Sequence, residues 1–356
     1  MAYYFRAMDV SDKAYILRSG RIILELDTGE AHEIEGKNKV FGAGELLLNK
    51  DDKFNHYRTM SARGIGDESC LEIEDNKIEE IIRVYNAGFA ITKDLAEISM
   101  WIGNISNEKN KKIGEKERTH REFCKILYKV GSTILHEYEQ KKFHWLEPLY
   151  NRISGSIQYK EGEAYSKNDK DIPLSIETKE MGEFNKIFPP GATICEQGEM
   201  GYEVYILNSG TISVEIGGNE VAQINSPGTV IGEIALLLGQ KRTATLKSVH
   251  NTNLTVIKNN DLKKVCTSQK TFLRNIAVTL ARRIETQCSK VQELSEIIQK
   301  QQEKDHSIPE ILTEDPTKTQ LKDIKKELKA FYDRYDMEWI YDIYLDLSEN
   351  MVKVKR

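Results

Sequence analysis

The chain has 356 residues, of which 30% are charged and 39% hydrophobic, and its formal net charge is −5. This length is too great for one small hydrophobic core and suits two or three domains. The negative charge excludes a whole-chain basic excess of the kind that recruits nucleic acid or an anionic membrane. Apolar runs fall far short of the roughly 18 residues of a membrane span, and the N-terminus lacks a signal-peptide pattern, so we expect a cytoplasmic protein without membrane partners.

Cysteines and histidines give no metal or redox pattern. The five cysteines lie far apart without a CxxC pair, which argues against a zinc knuckle and a disulfide framework. We expect them to be reduced packing residues. The seven histidines show no HExxH spacing, and no GxSxG or Walker motif is found. We therefore expect no metal, no cofactor and no catalytic activity.

The first element in chain order is one copy of an internal repeat. The segment YILRSGRIILELDTGEAHEI (15–34) matches YILNSGTISVEIGGNEVAQI (205–224) at an offset of 190, with nine identities in twenty positions. Apolar residues alternate in both copies and a turn interrupts each, which predicts a strand, a tight turn and a second strand. Short strands, Gly-rich turns and following helices predict a mixed β and α fold. We expect two jelly-roll β-barrels with connecting and C-terminal helices.

The segment between the repeats has a different pattern. From Lys116 to about Lys142, apolar residues recur at helical spacing and predict an amphipathic helix, or a helix pair interrupted at Gly131, that packs against the first barrel: Phe123, Leu127, Val130, Ile134 and Tyr138. The polar segment SGSIQYKEGEAYSKNDKDIP that follows predicts a surface linker. The expected domains are a first barrel (1–105), a helical connector and linker (106–181), a second barrel with a long helix (182–304) and a helical tail (305–356).

The segment GEIALLLGQKRTAT (232–245) carries the candidate ligand site. A short helix after a glycine offers unpaired N–H groups and a positive dipole end, which suit a phosphate. Gly232 lets the backbone approach closely, Ala235 leaves room, and Arg242 can pair with the phosphate. A carboxylate beside a phosphate needs a hydrogen-bond donor, and a ribose hydroxyl would supply one to Glu233. These residues favour a nucleotide pocket, and the alternative is a plain ion pair between Glu233 and Arg242.

With the upstream PPGATICEQGEMGYEVYILNSGTISV, this segment resembles the cyclic nucleotide-binding domain of protein kinase regulatory modules, ion channels and catabolite activator (Crp) proteins. The resemblance is strong over 182–300 and weak over 5–105. It implies that Glu233 holds the ribose 2′-hydroxyl and that Arg242 grips the exocyclic phosphate oxygens. It also implies that backbone groups complete the phosphate cradle, namely those of Gly232, Ile234 and Ala235.

The resemblance leaves the identity of the base open. Thr243 follows the arginine, where relatives that accept cGMP often carry a hydroxyl, so both cAMP and cGMP are candidate ligands. In the family the C-terminal helix also caps the base, here through Thr279, Arg283 or another side chain.

The first copy is a candidate degenerate site at Gly44, Glu45, Arg58 and Thr59. Leu47 replaces the small Ala235, and Met8 replaces Gly198. We expect Leu47 to crowd a phosphate, the four extra residues before Arg58 to displace the arginine, and the first strand to be missing or truncated. Packing or partner contacts are the expected role, with ligand binding as the alternative.

The last segments predict long helices. A nearly heptad apolar seam runs along 272–304, through Leu273, Ile276, Leu280, Ile284, Gln287, Val291, Leu294 and Ile298. Its first half is expected to pack on its own barrel, and its second half is a candidate for homodimer pairing. The tail, 305–356, carries nine Lys and Arg against twelve Asp and Glu, which disfavours DNA binding. It predicts a helical hairpin docked on the barrels or a surface for an effector protein.

The sequence therefore predicts a non-catalytic cyclic nucleotide sensor that binds cAMP or cGMP in its second barrel and regulates a protein partner. The alternatives are a Crp-type transcriptional regulator and an interaction scaffold with vestigial pockets.

Overall fold

A computed structural model of the chain describes residues 2–52, 55–168, 181–304 and 315–354. The chain divides into two compact units. The repeat unit comprises Met1–Ile105 with Asp171–Gln292, and the connector unit comprises Ser106–Lys170 with Glu293–Arg356. Among the described residues, no helix combines the length and apolar character needed to cross a membrane.

The first repeat is built from short strands with one helix inserted among them and two helices after them. Its elements are β1 (Tyr3–Phe5), β2 (Lys13–Ser19), β3 (Arg21–Glu25), β4 (Ala31–Glu35), β5 (Lys39–Phe41), α1 (Gly44–Asp52), β6 (Ser61–Gly64), β7 (Ser69–Glu74), α2 (Ile78–Ile82) and α3 (Tyr85–Lys112). The connector helices follow as α4 (Glu115–Lys141), α5 (Leu146–Ser154) and α6 (Ile157–Asn168).

The second repeat has the same order of elements with one additional strand at its start. Its elements are β8 (Asn185–Phe188), β9 (Thr193–Cys195), β10 (Glu203–Ser209), β11 (Ile212–Ile216), β12 (Asn219–Ile224), β13 (Val230–Ile231), α7 (Glu233–Leu238), β14 (Thr245–Ser248), β15 (Thr252–Lys258), α8 (Leu262–Ser268) and α9 (Phe272–Lys304). The C-terminal helices are α10 (Pro316–Tyr335) and α11 (Glu338–Lys353).

Each repeat folds into two antiparallel sheets. The sheet orders are β1-β6-β3-β4 and β5-β2-β7 in the first repeat, and β12-β11-β14-β9 and β13-β10-β15-β8 in the second. The mixed β and α class and the strand–turn–strand at 15–34 and 205–224 are confirmed. The strands form pairs of sheets and not a closed barrel. Since β1 corresponds to β9, the described part of the first repeat has no counterpart of β8.

The apolar residues of the two repeats enter one large core. It contains side chains of the first repeat's sheets together with Val204, Ile206 and the buried face of α9. A smaller core lies between the two sheets of the second repeat and contains Phe188, Leu207 and Leu254. Alternating burial along β3 places every second side chain in the large core. Strand β10 is buried on both faces, with Val204 and Ile206 in the large core and Tyr205 and Leu207 in the smaller one.

The seam of α9 is covered by α3, the equivalent helix of the first repeat. Leu273, Ile276, Leu280, Ile284 and Val291 are buried in the same core as Ile91, Leu95, Ile98 and Ile102 of α3. At the polar position of the seam, Ser99 donates a hydrogen bond to Gln287 at 3.1 Å. This helix pair lies within one chain, so the seam gives no separate reason for a homodimer, which stays a prediction. The predicted helix end near Asp305 lies outside the described residues.

The connector unit bears on three sequence predictions. The helix predicted from Lys116 is α4, and its apolar face is buried against α5, α6, α10 and α11 of the same unit. The predicted linker is helical over Ile157–Asn168, where Tyr159 is 9% exposed; the rest of that linker lies outside the described residues. The C-terminal helices α10 and α11 form the predicted hairpin, which packs on α4 within this unit.

Candidate functional site

Strand register shows which glycine of the first repeat corresponds to Gly232. Tyr205 pairs with Ile231 in the second repeat, and Tyr15 pairs with Phe41 in the first. The next residue in each case is a glycine with positive φ, +82° at Gly232 and +72° at Gly42, a conformation that glycine adopts without steric cost. Gly42, and not Gly44, is therefore the counterpart of Gly232, so the predicted alignment of the two copies is wrong by two residues here.

The two arginines occupy equivalent places despite the inserted residues. Arg242 Nη1 donates to the Gly232 carbonyl at 3.1 Å, and Arg58 Nη1 donates to the Gly42 carbonyl at 2.7 Å. These pairs are 10 and 16 residues apart in sequence. The prediction that the insertion displaces Arg58 is wrong, because the extra residues lengthen α1 and the segment after it.

The loop before β2 and the loop before β10 hold the backbone of the two arginines in the same way. The Gly198 N–H donates to the Arg242 carbonyl at 2.9 Å, and the Met8 N–H donates to the Arg58 carbonyl at 2.8 Å. Met8 thus holds the position of Gly198, as predicted, and does so with a φ of +69°.

In the second repeat the acid of the candidate site is paired with the long helix. Glu233, the first residue of α7, is 7% exposed. Its carboxylate accepts a hydrogen bond from Arg283 Nη1 of α9 at 2.7 Å. The plain ion pair between Glu233 and Arg242, weighed from sequence, is not formed: Glu233 pairs with Arg283 instead. Of the helix residues considered for the base, Thr279 donates to the Asn275 carbonyl at 3.2 Å, one turn earlier in α9.

Arg242 is buried, and within the described parts of the chain it has no acidic partner. It is 6% exposed, and the hydrogen bonds of its Nη atoms to these parts go to the backbone carbonyls of Gly232 and Glu203. Among the described residues, no carboxylate oxygen lies within 4.0 Å of its nitrogen atoms. Two of the five N–H donors of the guanidinium are used in this way. The guanidinium also lies 5.1 Å from the ring centroid of Tyr205.

The Tyr205 ring beside Arg242 is uncharged. Burial raises the pKa of Tyr205 well above its usual range, and the neighbouring Glu203 carboxylate raises it further. The phenol O–H donates to Glu203 at 2.9 Å. Tyr205 therefore stays neutral beside Arg242 and offers no compensating negative charge.

The first repeat neutralises its arginine internally. Arg58 is 2% exposed and Nη1 lies 3.3 Å from the Glu45 carboxylate. Thr59 donates to Glu45 from its backbone N–H at 3.2 Å and from its hydroxyl at 3.0 Å. The Phe5 ring covers the guanidinium at 4.2 Å. The cavity beside Glu45 is about 20 Å³, room for about one water molecule.

The remaining site residues separate into contact and surface positions. Ala235 is 9% exposed and its methyl group lies against Gly201, where a Cβ would come within 2.4 Å of it. Ile234 is half-buried against the large core, while Thr243 is exposed beside Arg242. Leu47, expected to crowd a phosphate, is fully buried in the large core. Counted from the equivalent glycines, Glu45 and not Leu47 takes the place of Ala235.

The opposite side of α9 is anchored to the first repeat by ion pairs. Arg282 donates to Asp51 at 2.7 Å and to Asp52 at 2.8 Å, and Glu285 lies 2.7 Å from His56. Hydrogen bonds from Arg282 lower the pKa of Asp52, which keeps this carboxylate ionised. One helix therefore joins the candidate site, through Arg283, to the first repeat, through Arg282. Sequence patterns named Arg283 only as one of several base contacts, and nothing in them indicated the Asp51–Asp52 anchor.

Comparisons with known proteins concern the second repeat. Residues 185–269 match the family described as cyclic nucleotide-binding domain. The Homo sapiens cyclic nucleotide-gated channel alpha-3 is 34% identical over 89 residues, which are 23% of this chain and 13% of the channel. A Caenorhabditis elegans cyclic nucleotide-gated channel is 36% identical over 84 residues, which are 22% of this chain and 12% of the channel.

Solved structures that match the chain include cAMP-bound PfPKA-R (141–441), at 15% identity and a TM-score of 0.27, with 74% of this chain and 69% of that chain covered. Another is the regulatory domain of Toxoplasma gondii PKA with cAMP, at 18% identity and a TM-score of 0.22, with coverage of 76% and 80%. The family match, the repeat order and the Gly232–Arg242 geometry concern the same segment. Residues 185–269 are the part of this chain that is similar to the cyclic nucleotide-binding domain family.

Proposed function

We propose that the chain is a cyclic nucleotide sensor in which the second repeat binds cAMP or cGMP and α9 transmits the binding event to a protein partner. The observation that carries the proposal is the contrast between two equivalent arginines. Arg58 has a carboxylate at 3.3 Å, whereas Arg242, equally buried, has none among the described residues. A guanidinium taken out of water costs several kcal/mol unless an anion compensates it. A cyclic phosphate is an anion that matches the planar fork of Arg242.

Glu233 extends this argument from a phosphate to a nucleotide. Its carboxylate is buried at the start of α7, one residue after the glycine whose carbonyl Arg242 contacts. A ribose 2′-hydroxyl can donate a hydrogen bond to the Glu233 carboxylate. Inorganic phosphate has no ribose and therefore offers no such donor. The proposed ligand contacts are therefore Arg242 with the phosphate oxygens, Glu233 with the ribose, and the backbone of Gly232, Ile234 and Ala235 with the phosphate.

The Glu233–Arg283 ion pair connects the proposed ligand site to α9. A ribose that donates a hydrogen bond to Glu233 competes with Arg283 for this carboxylate. Nucleotide binding is therefore coupled to the release of α9 from Glu233. The coupling is effective only if the two positions of α9 differ in their affinity for the nucleotide. The other side of α9 is held by Asp51 and Asp52 of the first repeat, so we propose that the first repeat serves as an anchor and not as a second receptor.

Isothermal titration of cAMP, cGMP and a cyclic dinucleotide into the full chain tests the proposal. We expect binding of one mononucleotide in the micromolar range or tighter, and a loss of about 100-fold or more in Arg242→Lys, because a lysine keeps the charge but loses the planar fork. Lys241→Ala, an exposed neighbour of the same charge, is the matched control and should bind like the parent chain. If no ligand gives heat of binding and the melting temperatures are unchanged, an interaction scaffold with vestigial pockets would describe the chain better.

A further inference from the structure

The connector unit brings three metal-ligating side chains together outside the nucleotide site. They are His120 and Cys124 of α4 and Glu161 of α6. His120 Nε2 lies 3.5 Å from Cys124 Sγ and 3.5 Å from Glu161 Oε2, and Cys124 Sγ lies 3.8 Å from Glu161 Oε2. Among the described residues this is the one group of three or more such side chains whose ligand atoms lie mutually close.

Local structure accounts for this arrangement. His120 and Cys124 are four residues apart on a helix and therefore lie on the same face, one turn apart. The two helices approach each other closely at Gly162, where a Cβ would lie 2.0 Å from the carbonyl oxygen of Cys124. Only glycine permits that approach, and it brings the adjacent Glu161 to the Cys124 side chain. The triangle of ligands thus depends on a specific helix contact.

The separations match those of tetrahedral zinc ligands. Bonds of about 2.0–2.3 Å to nitrogen, oxygen and sulfur at tetrahedral angles place ligand atoms about 3.3–3.6 Å apart. The observed range of 3.5 to 3.8 Å requires only a slight contraction. A thiolate with an imidazole favours zinc over magnesium or calcium, which prefer all-oxygen sites.

A second carboxylate orients the histidine. His120 Nδ1 lies 2.9 Å from Asp315 Oδ2, so a proton on Nδ1 is donated to Asp315 and Nε2 faces the triangle with its lone pair. Carboxylates in this position are the usual outer partners of zinc-bound histidines. Asp315 also caps α10 by accepting hydrogen bonds from the backbone N–H groups of Thr317 at 2.8 Å and Lys318 at 3.3 Å. The candidate site is thereby connected to the start of the C-terminal hairpin.

We propose that His120, Cys124 and Glu161 bind a zinc ion, with the fourth tetrahedral position taken by water. The ion joins α4 to α6 and, through Asp315, both of them to α10. Binding releases the thiol proton of Cys124 to solvent, because the thiolate is the form that ligates zinc. This site is independent of the proposed nucleotide function.

The sequence expectation of no metal site and five packing cysteines overlooked this cluster. The His120-x3-Cys124 spacing is the available signal, but Glu161 and Asp315 are 37 and 195 residues from their partners. The single helical pair is too common a pattern to indicate a metal without the tertiary contact.

Metal titration of the full, chelator-treated chain tests the proposal. With Zn²⁺ in competition with a chromophoric chelator, we expect one tightly bound ion per chain and a rise in melting temperature. With Co²⁺ as a spectroscopic probe, we expect the charge-transfer absorption of a thiolate ligand. Cys124→Ser should lose that absorption, and Asp315→Asn should weaken Zn²⁺ binding by about 10- to 100-fold.

Two variants have matched controls within the chain. Cys266→Ser changes another buried cysteine, in α8, and is the control for Cys124→Ser. Glu163→Gln is the control for Glu161→Gln, since it changes an acid of the same helix that pairs with Lys167 at 3.0 Å. Both controls should bind zinc like the parent. The proposal is overturned if the parent chain shows no thiolate absorption with Co²⁺, a result that depends on no variant, or if Cys124→Ser and Glu161→Gln bind Zn²⁺ as tightly as their controls.

Discussion

The Arg58 guanidinium lies 3.3 Å from the Glu45 carboxylate, and both groups are buried within the first repeat. The equivalent arginine of the second repeat, Arg242, has Ala235 at the position of Glu45, counted from Gly232 and Gly42. At this position the first repeat therefore places a carboxylate beside its buried arginine, and the second repeat places a methyl group. The same fold and the same hydrogen bonds from arginine to glycine are kept in both.

Replacing Ala235 by glutamate should convert the second repeat to the state of the first. In Ala235→Glu the new carboxylate would pair with Arg242 and repel a phosphate, so we expect cyclic nucleotide affinity to fall by about 100-fold or more. The measurement is isothermal titration, with circular dichroism to check the fold.

Gln240→Glu is the matched control for Ala235→Glu, because it adds the same charge at an exposed position just after α7. Its affinity should stay close to that of the parent. Equal affinities in Ala235→Glu and Gln240→Glu would contradict the role given to the missing carboxylate.

Removing Arg283 should strengthen nucleotide binding. The Glu233–Arg283 pair at 2.7 Å must be broken before a ribose can bond to Glu233, and the Arg283 side chain is 26% exposed. A partly exposed pair of this kind contributes about 1 kcal/mol, so we expect Arg283→Ala to bind about fivefold more tightly in the same titration.

Arg18→Ala removes an exposed arginine of the first repeat and controls for the loss of charge. Weaker binding in Arg283→Ala than in Arg18→Ala would instead identify Arg283 as a direct contact to the nucleotide, and the competition between ribose and Arg283 would have to be abandoned.

Asp94 of α3 should make the stability of the repeat unit depend on pH. Burial raises the pKa of Asp94 from its usual 3.8 to about 6 and outweighs the opposing hydrogen bond from Val40 and the Lys39 ammonium at 3.0 Å. Because the folded-state pKa is the higher one, the native state retains a proton that the unfolded state has lost. The stabilising contribution is fully present below about pH 4 and is lost as pH rises through about 6.

Denaturant unfolding at several pH values checks this sign. As the pH falls from 7 to 5, the free energy of unfolding of the parent chain should rise relative to that of Asp94→Asn, which cannot take up the proton. Glu97→Gln is the neighbouring control, since Glu97 also contacts Lys39, at 2.6 Å, but is far more exposed than Asp94. Parallel pH curves for the parent and Asp94→Asn would show that Asp94 titrates normally.

Local patterns predicted the second repeat well. Alternating apolar residues fixed the strands around 205–224, and Gly232, Glu233 and Arg242 lie close in sequence, so the structure keeps them close in space. The first repeat was harder, because Gly44 and Glu45 imitate the motif two residues after the true counterpart, Gly42. The pairing of Tyr15 with Phe41 and the hydrogen bond from Arg58 to the Gly42 carbonyl reveal the correct register, which continues the offset of 190 found in the strands.

Tertiary contacts explain the remaining errors. A polar sequence with glycines and serines indicated a linker where Gly162 instead permits the close contact of α6 with α4. The apolar face of α4 indicated that this helix packs against another element of the fold. Amphipathic periodicity does not identify that element. For the same reason the seam of α9 did not identify α3 as the helix that covers Leu273 to Val291, and homodimer pairing of its second half stays a prediction.

The cover that α3 provides for α9 bears on how the chain can be divided. A fragment containing only the second repeat would expose Leu273, Ile276, Leu280 and Ile284, which are at most 5% exposed in the full chain, as one contiguous stripe. Such a stripe seeks another apolar surface. Self-association of an isolated second repeat would then report the missing α3 and not the oligomeric state of the intact protein.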